Sequence, residues 1–479
     1  MVSDVRKIST IVLATLFFFG PGIRATPTDD SLPWGFNSTV FIRDESAAKS
    51  NQIDAFLATI VSGKGPGVGV IVIQDGKVVY KKGHGLANVK EGIPIRVNTA
   101  FEIASLTKQF TAMAIMMLAE RGQLSYDDSI QRFFPDIDSR GARITVRHLL
   151  SHTSGMRDSL TSLLGEDTPK RPKDIVAFLS ETKSALSAPG ERFIYSNSGY
   201  ITLALIVEIV SGMSFPLFIK ENIFRPLGMD NSIVFDGTKR EIQNLALSYI
   251  DEAATVGHSP TRASYGHIGI ISTLDDLFRW DQALYTEKLV KQTSLKQALA
   301  PAKLNNGDTV KYGFGWETGI DHGLRYVGHH GRSLGYRAHM RRYDNEHFTV
   351  IVLANGSHIW PQTIARKIAR MYLGDRMALP KPISIDPRRL REYAGRYTIA
   401  GGNYFEIILE NSDLWIKSSN REEKNKLLAK TVGEFIDDDT GETHIVFIKN
   451  EKGLVIGFEL KIETDDEKLI TVLTANKVL

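Results

Sequence analysis

Apolar, β-type runs stand near both ends of the first 375 residues, and helical patterns fill the stretch between them. Early comes "VGVIVIQDGKVVYKKG" from Val68: two such runs joined by Asp75-Gly76, a pair that supplies the positive φ angles of a tight hairpin turn. Late comes "HFTVIVLANGS" from His347, which predicts a buried strand. Between them lies "FTAMAIMMLAERG", in which Phe110, Met113, Met117 and Leu118 recur at helical spacing and Gly122 suits a C-terminal cap. It is apolar nearly all round, so the helix should be buried, with its methionines as core filler. "NSGYITLALIVEIVSG" predicts a second helix ending at Gly212, and the rest of 123–260 reads as short helices and loops. "PQTIARKIARMYLG" is amphipathic, with Ile364, Ile368 and Met371 on one face. The pattern predicts one sheet assembled from both ends of a domain, with a helical insert in the middle.

The texture changes after "DRMALPKPISIDP" (375–387), whose three prolines and lack of period mark a linker. Beyond it, "NYFEIILE", "DLWIKSS", "THIVFIKNEKGLVIGFELKI" and "KLITVL" are short alternating runs separated by Gly, Asn and Asp. They predict a small all-β barrel or sandwich. The expected organisation is a signal segment at 1–25, a polar lead-in at 26–50, a main domain at 51–375, a linker at 376–387 and an all-β domain at 388–479. A chain of 479 residues has room for two domains.

At 42% hydrophobic and 24% charged the chain is globular, and its net charge of +3 leaves no basic footprint for nucleic acid. Arg6 and Lys7 precede an apolar run from Ile8 to Gly20, followed by a small residue at Ala25. This is the pattern of a secretory signal, too short to span a bilayer, and the competing reading is an uncleaved anchor. A secreted or periplasmic chain with no stable membrane span is the expectation. There is no cysteine, hence no disulfide and no thiol chemistry. The sequons at Asn37 and Asn355 are taken as chance.

Three motifs bear on chemistry. In "FEIASLTKQF", Ser105 and Lys108 stand one turn apart where a strand-like run gives way to the buried helix. Serine needs a base at hydrogen-bond distance, a lysine at i+3 shares its helical face, and a helix N-terminus favours a developing oxyanion. The same spacing recurs at Ser46–Lys49 and Ser180–Lys183, but neither opens a buried helix. In "YSNSGY", Tyr195 can act in proton transfer and Asn197 can donate to a substrate carbonyl while accepting from lysine. The bland alternative is a pair of helix caps, and Tyr343-Asp344-Asn345 repeats the pattern inside a charged turn. In "VGHHGRSLGYRAHM", His329, His330 and Gly331 are candidates to line a substrate strand, with the Arg332 N–H completing an oxyanion hole with that of Ser105. Packed histidines and a metal site compete with that reading. No recognised ligand spacing links these to His148, His152 or His322, so no metal and no cofactor is expected.

The order SxxK, YxN, HxG resembles the serine β-lactamase and penicillin-binding-protein superfamily. "LLSHTSGM", "YSNSGYITLALIVEIVSGMSF", "IFRPLGMDNS", "GIISTLDDLFRW" and "YGFGWE" are similar to its class C-like branch, peptidase family S12, over nearly all of 50–375. The part from "EYAGRY" onward resembles the lipocalin-like β-domain that follows some of these enzymes. The resemblance implies an α+β fold: an antiparallel sheet flanked by helices, beside an all-α subdomain, with the site in the cleft between them. It implies that Ser105 forms an acyl-enzyme, that Lys108 and Tyr195 share the base work, that Asn197 holds the acyl side chain and that His329 and Gly331 line the substrate. One departure matters. The β-lactamases proper carry Lys-Thr-Gly where this chain has His-His-Gly, and histidine is mostly neutral at pH 7. That favours D-aminopeptidase, DD-peptidase or esterase chemistry on a small-molecule or peptide substrate, although Arg332 offers a replacement charge. The rival is a catalytically silent module of the same fold that recognises a peptide or antibiotic.

Overall fold

The computed structural model describes residues 45–135, 143–156, 158, 186–235, 242–250, 255–256, 265–378, 381–399, 402–419, 424–437, 443–463 and 469–478. The signal segment, Ser180–Lys183 and all of the 157–174 loop except Asp158 lie outside them.

The main sheet contains β1 (Val68–Gln74), β2 (Lys77–His84), β3 (Glu317–Asp321), β4 (Leu324–Ser333), β5 (Tyr336–Tyr343) and β6 (Phe348–Ala354). Its order is β3-β4-β5-β6-β1-β2. The expected hairpin is β1–β2, turned by Asp75 at φ 51° and Gly76 at φ 72°. Strands β1 and β6 pair antiparallel from Val68↔Ala354 to Gln74↔Phe348 and so close the sheet from its two sequence ends.

Both faces of this sheet are covered, which is why its central strands read as continuous apolar runs rather than alternating ones. Val68, Val70 and Val72 with Val350 and Val352 face α1 (Glu45–Ile60) and the helix Pro361–Leu373, meeting Phe56, Leu57, Ile364 and Ile368. Ile71, Ile73, Ile351 and Leu353 face the opposite core, with Leu274, Leu277 and the buried helix α2 (Thr107–Glu120). Alternate residues of each strand serve alternate cores. Helix α1 begins at Glu45, inside the stretch expected to be a loose lead-in. Its anchors Ile53, Phe56 and Leu57 explain why the chain orders there. Asn355 is fully buried, accepting from the Gly67 N–H and donating to the Leu86 and Leu247 carbonyls. Here it ties three segments together.

Helix α3 (Asn197–Ser211) packs against α2 in the helical insert. Ser196 caps it through the Gly199 N–H, and Gly212 ends it at φ 69°. Among the described residues no single helix is long and apolar enough to cross a membrane.

The C-terminal part is a closed barrel of eight antiparallel strands in sequence order: Gly395–Thr398, Tyr404–Glu410, Asp413–Ser418, Lys424–Thr431, Glu434–Asp437, Thr443–Lys449, Val455–Glu463 and Leu469–Lys477. Tyr397↔Lys477 and Thr398↔Asn476 close it. Tyr393, Tyr397, Phe435, Phe447 and Phe458 pack inside, as expected for a barrel of this strand number.

Candidate active site

Ser105 lies in a single 3₁₀ turn, Ala104–Leu106, that runs directly into α2. The segment before it is held by a small sheet in which Phe101–Glu102 pairs with Ile270–Ser272, and the Ile103 N–H donates to the Ile270 carbonyl. Ala104 is left-handed at φ 49°, a conformation that residues with a Cβ adopt rarely and that clusters at functional sites.

Lys108 is fully buried one turn on, with Nζ 3.1 Å from Ser105 Oγ, 2.9 Å from Asn197 Oδ1 and 3.0 Å from the His267 carbonyl. Burial drives its pKa down to about 7, against the opposing pull of Asp158 and Glu317. The carbonyl and amide oxygens are acceptors only. When the amine is neutral, its lone pair therefore faces Ser105, the one partner with a proton to give.

The Tyr195 ring lies beneath Lys108, 4.8 Å from Nζ to ring centroid, and is packed by His152 at 4.2 Å. Burial raises the pKa of its phenol well above the usual value, with Ser105 pulling the other way. Tyr195 is a neutral phenol at physiological pH. Asn197, the first residue of α3, turns its amide nitrogen to Asp158 Oδ2 at 3.0 Å.

His329 is fully buried on β4. Its Nδ1 lies 2.6 Å from the His330 carbonyl, so that nitrogen carries the proton, and Nε2 accepts from the Tyr312 hydroxyl at 2.9 Å. Burial lowers its pKa to about 4, with Glu317 pulling the other way. The third motif therefore holds a neutral imidazole where a lysine would be charged. His330 is half-exposed, with its Nδ1 against a Glu317 carboxylate oxygen. Burial alone would raise the Glu317 pKa, but His329 and His330 outweigh it and hold it down to about 2.

The structure adds a second constraint on Gly331, which also lines the cleft. A Cβ there would lie 2.4 Å from the Ile103 carbonyl oxygen and 3.2 Å from the Ala104 Cβ. This glycine permits the close approach of the segment carrying Ser105. Strand β3 covers Leu324–Gly328 of β4. Only the end bearing His329–Ser333 projects beyond it.

Ser105, Tyr195, Asn197, Gly331 and Arg332 line one cleft of about 920 Å³, with Glu317 among its other walls. Lys108 and His329 lie behind that surface. Two of the look-alikes lie among the described residues and sit elsewhere: Ser46–Lys49 is on α1, and Tyr343 is buried on the Arg341–Asp321 ion pair. Tyr312 and Glu317 begin and end the "YGFGWE" phrase that carries part of the resemblance, but no role followed from it; Asp158 follows directly on "SHTSGMR" and stands in none of the three motifs. Glu317, His329 and His330 offer ligand atoms within 4.8 Å of one another, a grouping invisible in their spacing.

The chain matches the family described as Beta-lactamase over residues 50–373, and it belongs to that family. It is 34% identical over 376 residues to "Penicillin-binding protein 4*" of Bacillus subtilis, covering 73% of this chain and 83% of that one. It is 26% identical over 303 residues to the D-aminopeptidase of Gluconobacter oxydans, covering 61% of this chain and 56% of that protein. The solved structure of the octameric penicillin-binding protein homologue from Pyrococcus abyssi superposes with a TM-score of 0.65 at 27% identity, over 90% of this chain and all of that one. The β-lactamase/transpeptidase-like fold with a C-terminal barrel is thereby established.

Proposed function

We propose that this chain is a serine hydrolase that works through an acyl-Ser105 intermediate on an amide or ester, with a D-amino-acid peptide or a small ester as the favoured substrate class. The observation that carries this reading is the buried Lys108 Nζ, 3.1 Å from Ser105 Oγ, with its pKa brought to about 7. A base poised near the working pH transfers protons best.

Neutral Lys108 takes the Ser105 proton as Oγ attacks the substrate carbonyl. The oxyanion is received by the backbone N–H groups of Ser105 and Arg332. Tyr195, kept neutral by burial, relays a proton from Lys108 to the departing amine or alcohol as the bond to it breaks. Water then adds to the acyl-serine by the same proton path in reverse and releases the acid. Asn197 keeps one amide hydrogen for the acyl group, the other being taken by Asp158.

The neutral His329 supports peptidase or esterase chemistry over a dedicated β-lactamase, because it supplies no fixed charge for a substrate carboxylate. The penicillin-binding and D-aminopeptidase relatives support the same direction. The amino-terminal basic and apolar segment supports export as part of this reading. The test is turnover of three substrates by the purified chain: an activated ester, a D-alanyl peptide and a penicillin. The expected result is Ser105-dependent hydrolysis of the ester and the D-peptide, with the penicillin turned over slowly. No turnover of any of them counts against an enzyme and favours a recognition module.

A further inference from the structure

Asp158 is the last residue of "SHTSGMRD" and belongs to none of the three motifs. Its carboxylate is nonetheless tied directly to the site. Oδ2 accepts from Asn197 Nδ2 at 3.0 Å, and Oδ1 accepts from the Ser198 N–H at 3.3 Å and the Ser198 hydroxyl at 3.2 Å. The N–H belongs to the first turn of α3, where negative charge is favoured.

The two ends of an amide have nearly the same shape, and only their partners decide which way it faces. A carboxylate accepts and cannot donate, so Asn197 must present its nitrogen to Asp158. Its oxygen is then forced toward Lys108, where it lies at 2.9 Å. Without that constraint Asn197 can flip and point N–H groups at the lysine amine, competing with Ser105 for its lone pair.

We propose that Asp158 is a positioning residue: it locks Asn197 with its oxygen on Lys108 and so keeps the lysine lone pair on Ser105. This rests on the reading of Ser105 as a nucleophile and assigns a role that the three motifs leave open.

The charge of Asp158 acts in the same place. The titratable groups around Lys108 are Glu317 with its partner His330, His329, His152, Tyr195 and Tyr200. Burial holds His329 and His152 below their usual range and both tyrosines above theirs. Asp158 and Glu317 are the two anions that favour the protonated lysine. Removing the Asp158 charge lowers the Lys108 pKa further. The acid limb of the rate profile then moves to lower pH.

The experiment uses the full chain with Asp158→Asn, Asp158→Ala, Asn197→Ala and the Asp158→Ala/Asn197→Ala double variant. It reads kcat and KM for an activated ester from pH 5 to 9, beside Tm. The expected result for both Asp158 variants is a kcat lower by roughly 100-fold, the scale of loss when reacting groups are misplaced. KM should change little and the acid limb should shift downward. The double variant should lose no more than Asn197→Ala alone, because both changes break one linkage. Asp158→Glu keeps the acceptor and the charge. Its partial recovery of kcat keeps the test decisive if the alanine variant folds poorly. Variants that match wild type in kcat and in pH profile, or whose losses multiply in the double variant, overturn the proposal. So does a fall in Tm with kcat per folded molecule unchanged, which marks a structural cap only. A wild-type chain that takes no acyl group on Ser105 overturns the underlying reading as well, and is recognised before any substitution is made.

Discussion

Two sets of buried cations in this molecule look alike by exposure and differ in their partners. Arg341 and Arg342 on β5 each meet a carboxylate directly, Asp321 at 2.9 Å and Asp281 at 2.7 Å. Arg341 also stacks 3.6 Å from the Tyr326 ring centroid, and Thr349 adds a hydrogen bond to Asp281. The Asp281 charge outweighs burial and raises the Arg342 pKa. Lys108 is buried as completely, yet its three partners are a hydroxyl, an amide oxygen and a backbone carbonyl. Its nearest anions act from further out, and burial prevails. A buried cation with a direct counter-ion is fixed as a charge, whereas one with neutral acceptors is poised to lose its proton. The first arrangement builds the sheet. The second suits chemistry at neutral pH.

The comparison breaks most visibly at Ser105, the proposed nucleophile. Ser105→Ala should lower acyl transfer by ~10⁴-fold or more, whereas Ser46→Ala and Ser180→Ala should leave the rate of acylation at its wild-type value. Lys108→Met should abolish acylation as well, yet make the fold more stable. Between about pH 7 and the ordinary lysine range the unfolded chain holds a proton that the folded chain lacks, so this group makes stability rise with pH across that window and weighs against the fold below it. Lys108→Met should therefore gain a few kcal/mol at pH 7 and below, and flatten the slope above it. Chemical denaturation at several pH values measures this. Equal stability of the two proteins at pH 6 would contradict it.

The structural arginines should behave in the opposite way. Asp281→Ala strands Arg342 without its counter-ion and should cost about 3–5 kcal/mol, read as a lower denaturation midpoint, while kcat per folded molecule holds. A proportionate loss of kcat would remove the distinction between the two sets. Gly331→Ala falls between them. Its methyl must displace the Ile103 carbonyl, costing roughly 1–3 kcal/mol as overpacking does, and the shifted Ser105 should lose activity by a larger factor than stability alone explains.

Much of this was legible in the sequence, for stated physical reasons. The hairpin turn at Asp75-Gly76, the buried helix after Ser105 and the cap at Gly212 are local, and local chemistry sets them. The strands from both ends of the main domain announced one sheet because their apolar runs are continuous. What was not legible depends on contacts distant in sequence. Asp158 stands in no motif, Glu317 ends the "YGFGWE" phrase without any role following from it, and only the fold brings them to Lys108 and the histidines. The reason for Gly331 is a backbone approach across more than two hundred residues, from Ile103. The start of α1 at Glu45 was missed because its polar composition hides anchors that matter only once the sheet is present.

The central claim is that Ser105 is the nucleophile and neutral Lys108 its base. Its most direct test is the intact mass of the protein after brief exposure to an activated ester, followed from pH 5 to 9. The account predicts one acyl adduct, absent in Ser105→Ala, forming at a rate that rises through about pH 7 as Lys108 loses its proton. An adduct that persists in Ser105→Ala, or a rate that is flat across that range, would contradict it.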